Sequence, residues 1–194
     1  MTQRLLAGID GGQSSTTAAI GDCGGRVLGR GSAGPADEIG EGANSSRLRD
    51  ALRGALTAAC DRAGLDRDTH FDTIVAGVSG YEGRVYGRAA ELPAARVLFM
   101  HDAPVAHAGA LGGHPGIVAI AGTGSVVYGT DGKRAWTLGG WGHLFGDEGS
   151  AFWFAREALS RLMCSQDAGD ASNAPERDAA CAFFAQPSLR HLAR

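Results

Sequence analysis

Ala119-Ile-Ala-Gly-Thr-Gly-Ser-Val-Val-Tyr-Gly129 is the stretch that decides the fold, because two apolar runs flank a turn of glycine and hydroxyl residues. The same order recurs near the N-terminus, in Leu5-Leu-Ala-Gly-Ile-Asp-Gly-Gly-Gln-Ser-Ser-Thr-Thr-Ala-Ala-Ile20. One such turn is equally typical of an ordinary hairpin, but two in matching contexts favour a pair of phosphate-binding turns. The repetition predicts two lobes that face one anionic ligand.

Composition and charge narrow the classes of function. The chain has 194 residues, of which 44% are hydrophobic, enough to bury a sizeable core. Its net charge of -3 supplies no basic surface, so we expect a small-molecule ligand and neither nucleic acid nor membrane as a partner. No apolar run approaches the ~20 residues that span a bilayer, and the cytoplasm is the expected location. A homodimer is one candidate assembly.

The pattern of the first half of the chain predicts several strands and one amphipathic helix. Residues 4–33 predict an antiparallel three-stranded start, and a helix follows, capped by Asn44 or Ser45 and ended by Gly64. The remaining predicted elements of this half are strands at 71–78 and 96–100 and helices at 82–91 and 103–111.

The second half repeats the design of the first. Gly112-Gly-His-Pro-Gly116 breaks the chain, so we expect one domain at residues 1–113 and a second at residues 114–194. Predicted strands cover 117–121, 125–130 and 134–138, and predicted helices cover 149–163 and 176–185.

Asp10 ends the first apolar run, next to a turn rich in glycine and hydroxyl groups. Backbone amides in such a turn cradle phosphate oxygens, and a carboxylate can hold Mg²⁺ through its water shell. We therefore expect Asp10 near a metal ion and both turns at the phosphates of a nucleotide. The candidate phosphate-binding residues are Gly11, Gly12, Gln13, Ser14, Ser15 and Thr16 in the first turn and Gly122, Thr123, Gly124 and Ser125 in the second.

Asp102 is the best candidate for a catalytic carboxylate. It follows the apolar strand Arg96-Val-Leu-Phe-Met100, at an end where a ligand-facing position is natural. There it could accept a proton from a substrate hydroxyl whose oxygen attacks a terminal phosphate. The alternative is an N-cap of the 103–111 helix, which the sequence leaves equally open.

The glycine-rich loop from Gly139 to Gly149 is the candidate sugar-binding segment. Its glycine density and Trp141 favour sugar binding, whereas Asp147 and Glu148 also fit the ordinary preference of acids for the first turn of a helix.

With these motifs the chain resembles the N-acetylglucosamine kinase group of the BadF/BadG-type ATPases, within the sugar kinase, Hsp70 and actin superfamily. The motifs that carry the resemblance are Gly8-Ile-Asp-Gly-Gly12, Ile120-Ala-Gly-Thr-Gly-Ser125 and Gly139-Gly-Trp-Gly-His-Leu-Phe-Gly-Asp-Glu-Gly-Ser150. The resemblance implies an α/β protein with a duplicated ribonuclease H-like (actin-like ATPase) fold, whose two lobes surround a cleft for ATP and Mg²⁺. Family members continue past this length, so the second lobe is expected to be incomplete.

The resemblance also implies an activity, the ATP-dependent phosphorylation of an amino sugar, N-acetylglucosamine or glucosamine, on a hydroxyl. Asp102 is then the general base, Asp10 lies near the metal, and the two turns bind the phosphates. The residues expected at the sugar are Asp37, Ser79, Gly80, Asp102, Gly140, Trp141, Gly142 and Asp147.

Two departures from the family pattern keep alternatives open. Such kinases often present an asparagine after the third strand, where this chain has Asp37 and Glu38, and these acids would suit a free amino sugar. The expected absence of the C-terminal part leaves a non-catalytic sugar or nucleotide sensor as an alternative. A third candidate is an ATPase that activates a redox partner, although the four scattered cysteines do not match that branch.

Overall fold

The computed structural model describes residues 4–38 and 40–192, and its larger sheet has five strands in the order β3-β2-β1-β4-β5. The first three strands are antiparallel, as predicted, and β4 and β5 continue the sheet parallel to β1. Since β1, β4 and β5 are parallel, their carboxyl ends meet at one edge of the sheet. The strands are β1 (Leu5–Gly11), β2 (Thr16–Asp22), β3 (Val27–Ala33), β4 (Phe71–Val78) and β5 (Ala94–His101).

Helix α1 (Arg47–Ala63) covers one face of this sheet. Its apolar stripe is buried with alternate residues of β1 and β4, and burying one leucine of such a core is worth about 1.5–3 kcal/mol. Gly31 permits the close approach of β3, because a Cβ atom there would collide with the backbone of α1. The helix begins after Ser46, one residue later than the nearer predicted cap, and ends at Gly64 in the left-handed conformation, as predicted. The buried helix residues are Leu48, Ala51, Leu52, Ala55, Leu56, Ala59 and Cys60.

The helix predicted at 82–91 is wrong. This segment is an irregular connection between β4 and β5, and its backbone donors bond to distant partners instead of to the preceding turn. The amides of Tyr86 and Gly87 donate to the Glu38 carboxylate at 2.9 and 2.6 Å, and the Arg88 amide donates to the carbonyl of Ser45 at 2.9 Å. Long-range hydrogen bonds therefore replace the helical ladder that periodicity favoured.

The second half of the chain has the predicted sequence of elements. A three-stranded sheet has the order β6-β7-β8, and the long helix α3 begins after Ser150, whose Oγ accepts the Trp153 amide at 3.1 Å. Helix α3 runs four residues beyond the predicted end, and a short helix α5 was not predicted. The elements are α2 (Asp102–Leu111), β6 (Gly116–Ala121), β7 (Ser125–Thr130), β8 (Ala135–Gly139), α3 (Ala151–Asp167), α4 (Ala174–Phe183) and α5 (Leu189–Leu192).

The chain divides into two compact units. One unit runs to Ile120 and resumes over Val127–Leu138; the other contains Ala121–Val126 and the chain from Gly139 onward. The domain boundary expected after residue 113 stays a prediction. Over the described parts of the chain, no helix is both long and apolar enough to cross a membrane.

Candidate active site

The carboxylate of Asp10 lies at the carboxyl edge of the five-stranded sheet. Asp10 is in register with Gly77 of β4, which is in register with Met100 of β5. Although part of the side chain reaches solvent, partial burial raises the pKa of the Asp10 carboxyl, and the Asp102 carboxylate raises it further. A carboxyl group whose pKa is raised by desolvation and a second acid marks a candidate site for a cation or a proton.

Asp102 occupies the first turn of α2, at the end of β5. The helix cap is His101, whose Nδ1 accepts the amide of Ala103 at 3.3 Å, so the alternative of Asp102 as an N-cap is wrong. Its Oδ1 atom is buried, and no described residue hydrogen-bonds to it. A buried carboxylate oxygen without a partner is costly, which indicates a ligand or a proton as its natural partner.

His101 is the nearest titratable neighbour of Asp102. Its Nδ1 lies 2.7 Å from Oδ1 of Asp102, a contact that lacks the geometry of a hydrogen bond. The adjacent carboxylate raises the pKa of the His101 imidazole above its ordinary value, against a smaller opposing effect of burial. The imidazole nitrogen that accepts from Ala103 must be unprotonated, so protonation would redirect it towards Asp102.

The first glycine turn presents its tip to solvent. Gln13, Ser14 and Ser15 are exposed, and the Gly12 amide closes the turn on the carbonyl of Ser15 at 2.9 Å. Thr16, by contrast, is fully buried and donates its hydroxyl to the carbonyl of Gly34 at 2.8 Å. The Thr16 hydroxyl therefore ties β2 to the end of β3, while the exposed tip supplies the groups that can face an anion.

A cavity of about 330 Å³ opens beside the carboxyl end of β4. Ser79 and Gly80, two residues of the predicted sugar set, line it, and the irregular 81–86 segment supplies another wall. Sequence reasoning missed the lining residues Tyr81, Glu82, Arg84 and Tyr86, because a helix was predicted there. The signal that could have found them is the pair Gly83 and Gly87, which interrupts the helical pattern.

The two acids after β3 are engaged within the protein. Asp37 is buried and forms an ion pair with Arg47 at 3.5 Å. The Glu38 carboxylate accepts two backbone amides, those of Tyr86 and Gly87. Protein groups thus already balance the charges of Asp37 and Glu38. This argues against the idea that the two acids attract the ammonium group of a free amino sugar.

In the second compact unit, Asp147 holds the Gly122–Ser125 turn. Its carboxylate accepts the Ser125 amide at 3.1 Å, and the Ser125 hydroxyl donates to the carbonyl of Glu148 at 2.8 Å. Asp147 is buried and has a φ of 61°, a conformation that non-glycine residues seldom adopt. The strain and the burial are offset by this bond, so the turn and the loop containing Asp147 form one structural element.

The glycine loop of the same unit carries the remaining predicted sugar residues. The Gly140 amide donates to the carbonyl of Ser125 at 3.0 Å, and Trp141 is 77% exposed. Gly140 and Gly142 both have positive φ values. Within this unit the structure therefore brings together the turn at Gly122–Ser125, Asp147 and the start of the glycine loop.

The residues present fit a magnesium ion shared with a nucleotide better than a metal held by protein alone. No group of three or more metal-ligating side chains occurs among the described residues. Mg²⁺ commonly keeps several waters and takes only one or two carboxylates besides phosphate oxygens. The Asp10 carboxylate, whose pKa is raised by partial burial and by the charge of Asp102, supplies one such carboxylate.

Comparisons with known proteins give consistent results. The model of the BadF/BadG/BcrA/BcrD ATPase family matches residues 7–193. The N-acetylmuramic acid/N-acetylglucosamine kinase of Clostridium acetobutylicum is 38% identical over 73 residues, which are 37% of this chain and 24% of that protein.

Solved structures agree on the fold. A protein from Chromobacterium violaceum assigned as an N-acetylglucosamine kinase has a TM-score of 0.78 at 27% identity, covering 94% of this chain and 65% of that chain. A protein from Porphyromonas gingivalis with the same assignment has a TM-score of 0.61 at 21% identity, covering 97% and 69%. The chain thus spans less than two thirds of the Chromobacterium protein. The predicted fold class, that of sugar kinases and actin-like ATPases, is confirmed.

Proposed function

We propose that this chain, which belongs to the BadF/BadG/BcrA/BcrD ATPase family, transfers the terminal phosphoryl group of ATP to a hydroxyl of an amino sugar. The observation that carries the proposal is the buried Oδ1 atom of Asp102, which lacks a hydrogen-bond partner among the described residues and follows the strand end beside Asp10. A general base for a sugar hydroxyl needs such an acceptor, and this oxygen accepts no hydrogen bond from a described residue although Nδ1 of His101 lies 2.7 Å from it.

In this mechanism Asp102 accepts the proton of the substrate hydroxyl as its oxygen attacks the terminal phosphorus of ATP. The bond from that phosphorus to the bridging oxygen breaks, and the departing electrons remain on ADP. Asp10 would hold Mg²⁺, which neutralises charge on the phosphates when bound. The raised pKa of Asp10 is consistent with a carboxylate that gains stability from a cation.

We propose one phosphate-binding turn in each of the two units. In the first turn, the exposed residues Gln13, Ser14 and Ser15 are the principal surface, with Gly11 and Gly12 shaping the turn and Thr16 anchoring it. In the second turn we propose Gly122, Thr123 and Gly124, with Ser125 held by Asp147 as its support.

The preferred sugar is proposed to be N-acetylglucosamine. Two relatives are assigned this activity, and the charges of Asp37 and Glu38 are already met by Arg47 and by backbone amides. A free amino sugar, glucosamine, is the alternative. The remaining residues proposed for sugar binding are Ser79, Gly80, Gly140, Trp141, Gly142 and Asp147.

The test is ADP release by the purified chain with N-acetylglucosamine, N-acetylmuramic acid, glucosamine and glucose in parallel. We expect stimulation by N-acetylglucosamine and loss of that stimulation in Asp102→Asn. ADP release that no sugar changes would support an ATPase and overturn the kinase proposal. If calorimetry detects ATP and sugar binding but no product forms, the sensor alternative gains support.

A further inference from the structure

Gly77 is the next-to-last residue of β4, the strand that lies between the two strands leading to Asp10 and Asp102. It is in register with Asp10 on one side and with Met100, two residues before Asp102, on the other. Adjacent strands in a sheet lie about 4.8 Å apart, so Gly77 of β4 lies directly between its paired residues in β1 and β5. The contacts of Gly77 therefore affect the distance between the Asp10 and Asp102 carboxylates.

The first turn of α2 packs directly over Gly77. A Cβ atom at this position would lie 2.7 Å from Cγ2 of Val105, 2.9 Å from its Cβ and 3.2 Å from the Cα of Asp102. The two separations from Val105 are too short for any real Cβ contact, and the one from the Asp102 backbone is tighter than ordinary van der Waals contact. Any side chain at residue 77 would push α2 away from the sheet.

The requirement for glycine at residue 77 is one of space. Gly77 lies within a strand and is not among the glycines with positive φ. Its neighbours Ala76 and Val78 are buried in the core on the α1 side, so Gly77 faces α2 on the opposite side of the sheet. In-register neighbours of parallel strands point to the same face, which places the Asp10 side chain on the α2 side as well.

We propose that Gly77 is a positioning residue for phosphoryl transfer: by admitting the first turn of α2 against β4, it sets the distance between the Asp102 and Asp10 carboxylates. This proposal rests on the proposed function, because it takes Asp102 as the base. The strand register that joins Asp10 to Gly77, and the 3.2 Å between a Cβ at residue 77 and the Cα of Asp102, are the geometric basis of this link. A displacement of a catalytic group by about 1 Å can reduce a rate ~100-fold.

The test compares Gly77→Ala with Gly8→Ala. Gly8 is a strand glycine of β1 and an apt control, because a Cβ there would meet nothing within 4 Å. We expect Gly77→Ala to lower kcat by ~100-fold with little change in the KM for ATP, and Gly8→Ala to stay within about twofold of wild type. Near wild-type kcat in a folded Gly77→Ala protein would overturn the proposal.

A second variant separates positioning from stability. In Gly77→Ala/Val105→Gly, the two closest clashing atoms are removed, so kcat should recover substantially, whereas the melting temperature should stay low because a helix glycine costs about 1 kcal/mol. Recovery of the melting temperature without recovery of kcat would contradict the inference. This double variant also serves if Gly77→Ala alone fails to fold.

An NMR titration of the Asp10 carboxyl tests the role of Gly77 separately from kinase activity. If the chain has no kinase activity, the pKa of Asp10 should still be lower in Gly77→Ala than in wild type, because α2 carries Asp102 away. An unchanged Asp10 titration in a folded Gly77→Ala protein would show that Gly77 does not set this distance.

Discussion

Asp10 and Asp102 are acidic residues at the same edge of one sheet, and partial burial together with the charge of Asp102 raises the pKa of the Asp10 carboxyl. A carboxylate whose ionisation is disfavoured by burial and by a neighbouring acid is retained in proteins mainly where a cation or a proton relieves the cost.

Replacement of Asp102 by asparagine should abolish phosphoryl transfer and spare ATP binding. The amide keeps the shape of the side chain but cannot accept the proton, and loss of a general base costs ~10²–10⁴ in rate. Steady-state kinetics and calorimetric ATP titration measure the two effects. Turnover within tenfold of wild type would remove Asp102 from the role of base.

Asp10→Asn should be inactive yet more stable than wild type at neutral pH. The folded-state pKa of Asp10 is raised above the ordinary 3.8, so ionisation costs folding free energy as the pH rises through the interval between the two pKa values. Asparagine removes that cost. Thermal unfolding in EDTA from pH 3 to pH 7 should show a stability gain that grows with pH; a gain that is constant with pH would contradict this explanation.

His101 should make activity depend on pH near neutrality. Its imidazole has a folded-state pKa above 6.5, and when protonated it can bind Oδ1 of Asp102, the proposed proton acceptor. We therefore expect kcat/KM to rise with pH through the pKa of His101, and we expect His101→Gln to lose this limb of the profile. A profile unchanged by the substitution would assign the limb to another group.

The contact between His101 and Asp102 should stabilise the fold at acidic pH. Because the pKa of His101 is raised on folding, its contribution to stability is complete below pH 6.5 and is lost as the pH rises through the folded-state pKa. The difference in unfolding free energy between wild type and His101→Gln should shrink over that interval, as measured by urea titration at several pH values. The partly exposed imidazole makes this a small effect.

Asp147 should be needed to hold the turn at Gly122–Ser125. Asp147→Ala removes the acceptor of the Ser125 amide and places alanine at a φ of 61°, so we expect a loss of about 1–3 kcal/mol. Asp147→Asn keeps an acceptor oxygen and tolerates this backbone conformation, and it should lose less. Amide hydrogen exchange of Ser125 reports the local effect; equal losses in both variants would show that the bond contributes little.

Glu38 should organise the cavity wall next to Ser79. Its carboxylate accepts the amides of Tyr86 and Gly87, so Glu38→Ala should release the 81–88 segment and raise the KM for the sugar with a smaller effect on kcat. Faster hydrogen exchange at Tyr86 and Gly87 is the direct measurement. Glu38→Gln keeps one acceptor oxygen and removes the charge, so it is the matched control.

The sequence determined the strands, the long helix and the two glycine turns, because each depends on local chemistry. Alternation of apolar residues is enough to predict β1, and a stripe ended by Gly64 is enough to predict α1. Asp10 and Asp102 could be nominated as well, since both follow apolar strands directly.

Only the tertiary structure decided what those residues contact. The 82–91 segment has helical periodicity, yet its amides bond to Glu38 and Ser45, partners more than 40 residues away in the sequence. Thr16 has the right residue type for a phosphate turn, but burial commits its hydroxyl to Gly34. The importance of Gly77 depends on the distance from β4 to α2, and a distance between elements far apart in the chain follows from packing, which local pattern cannot supply.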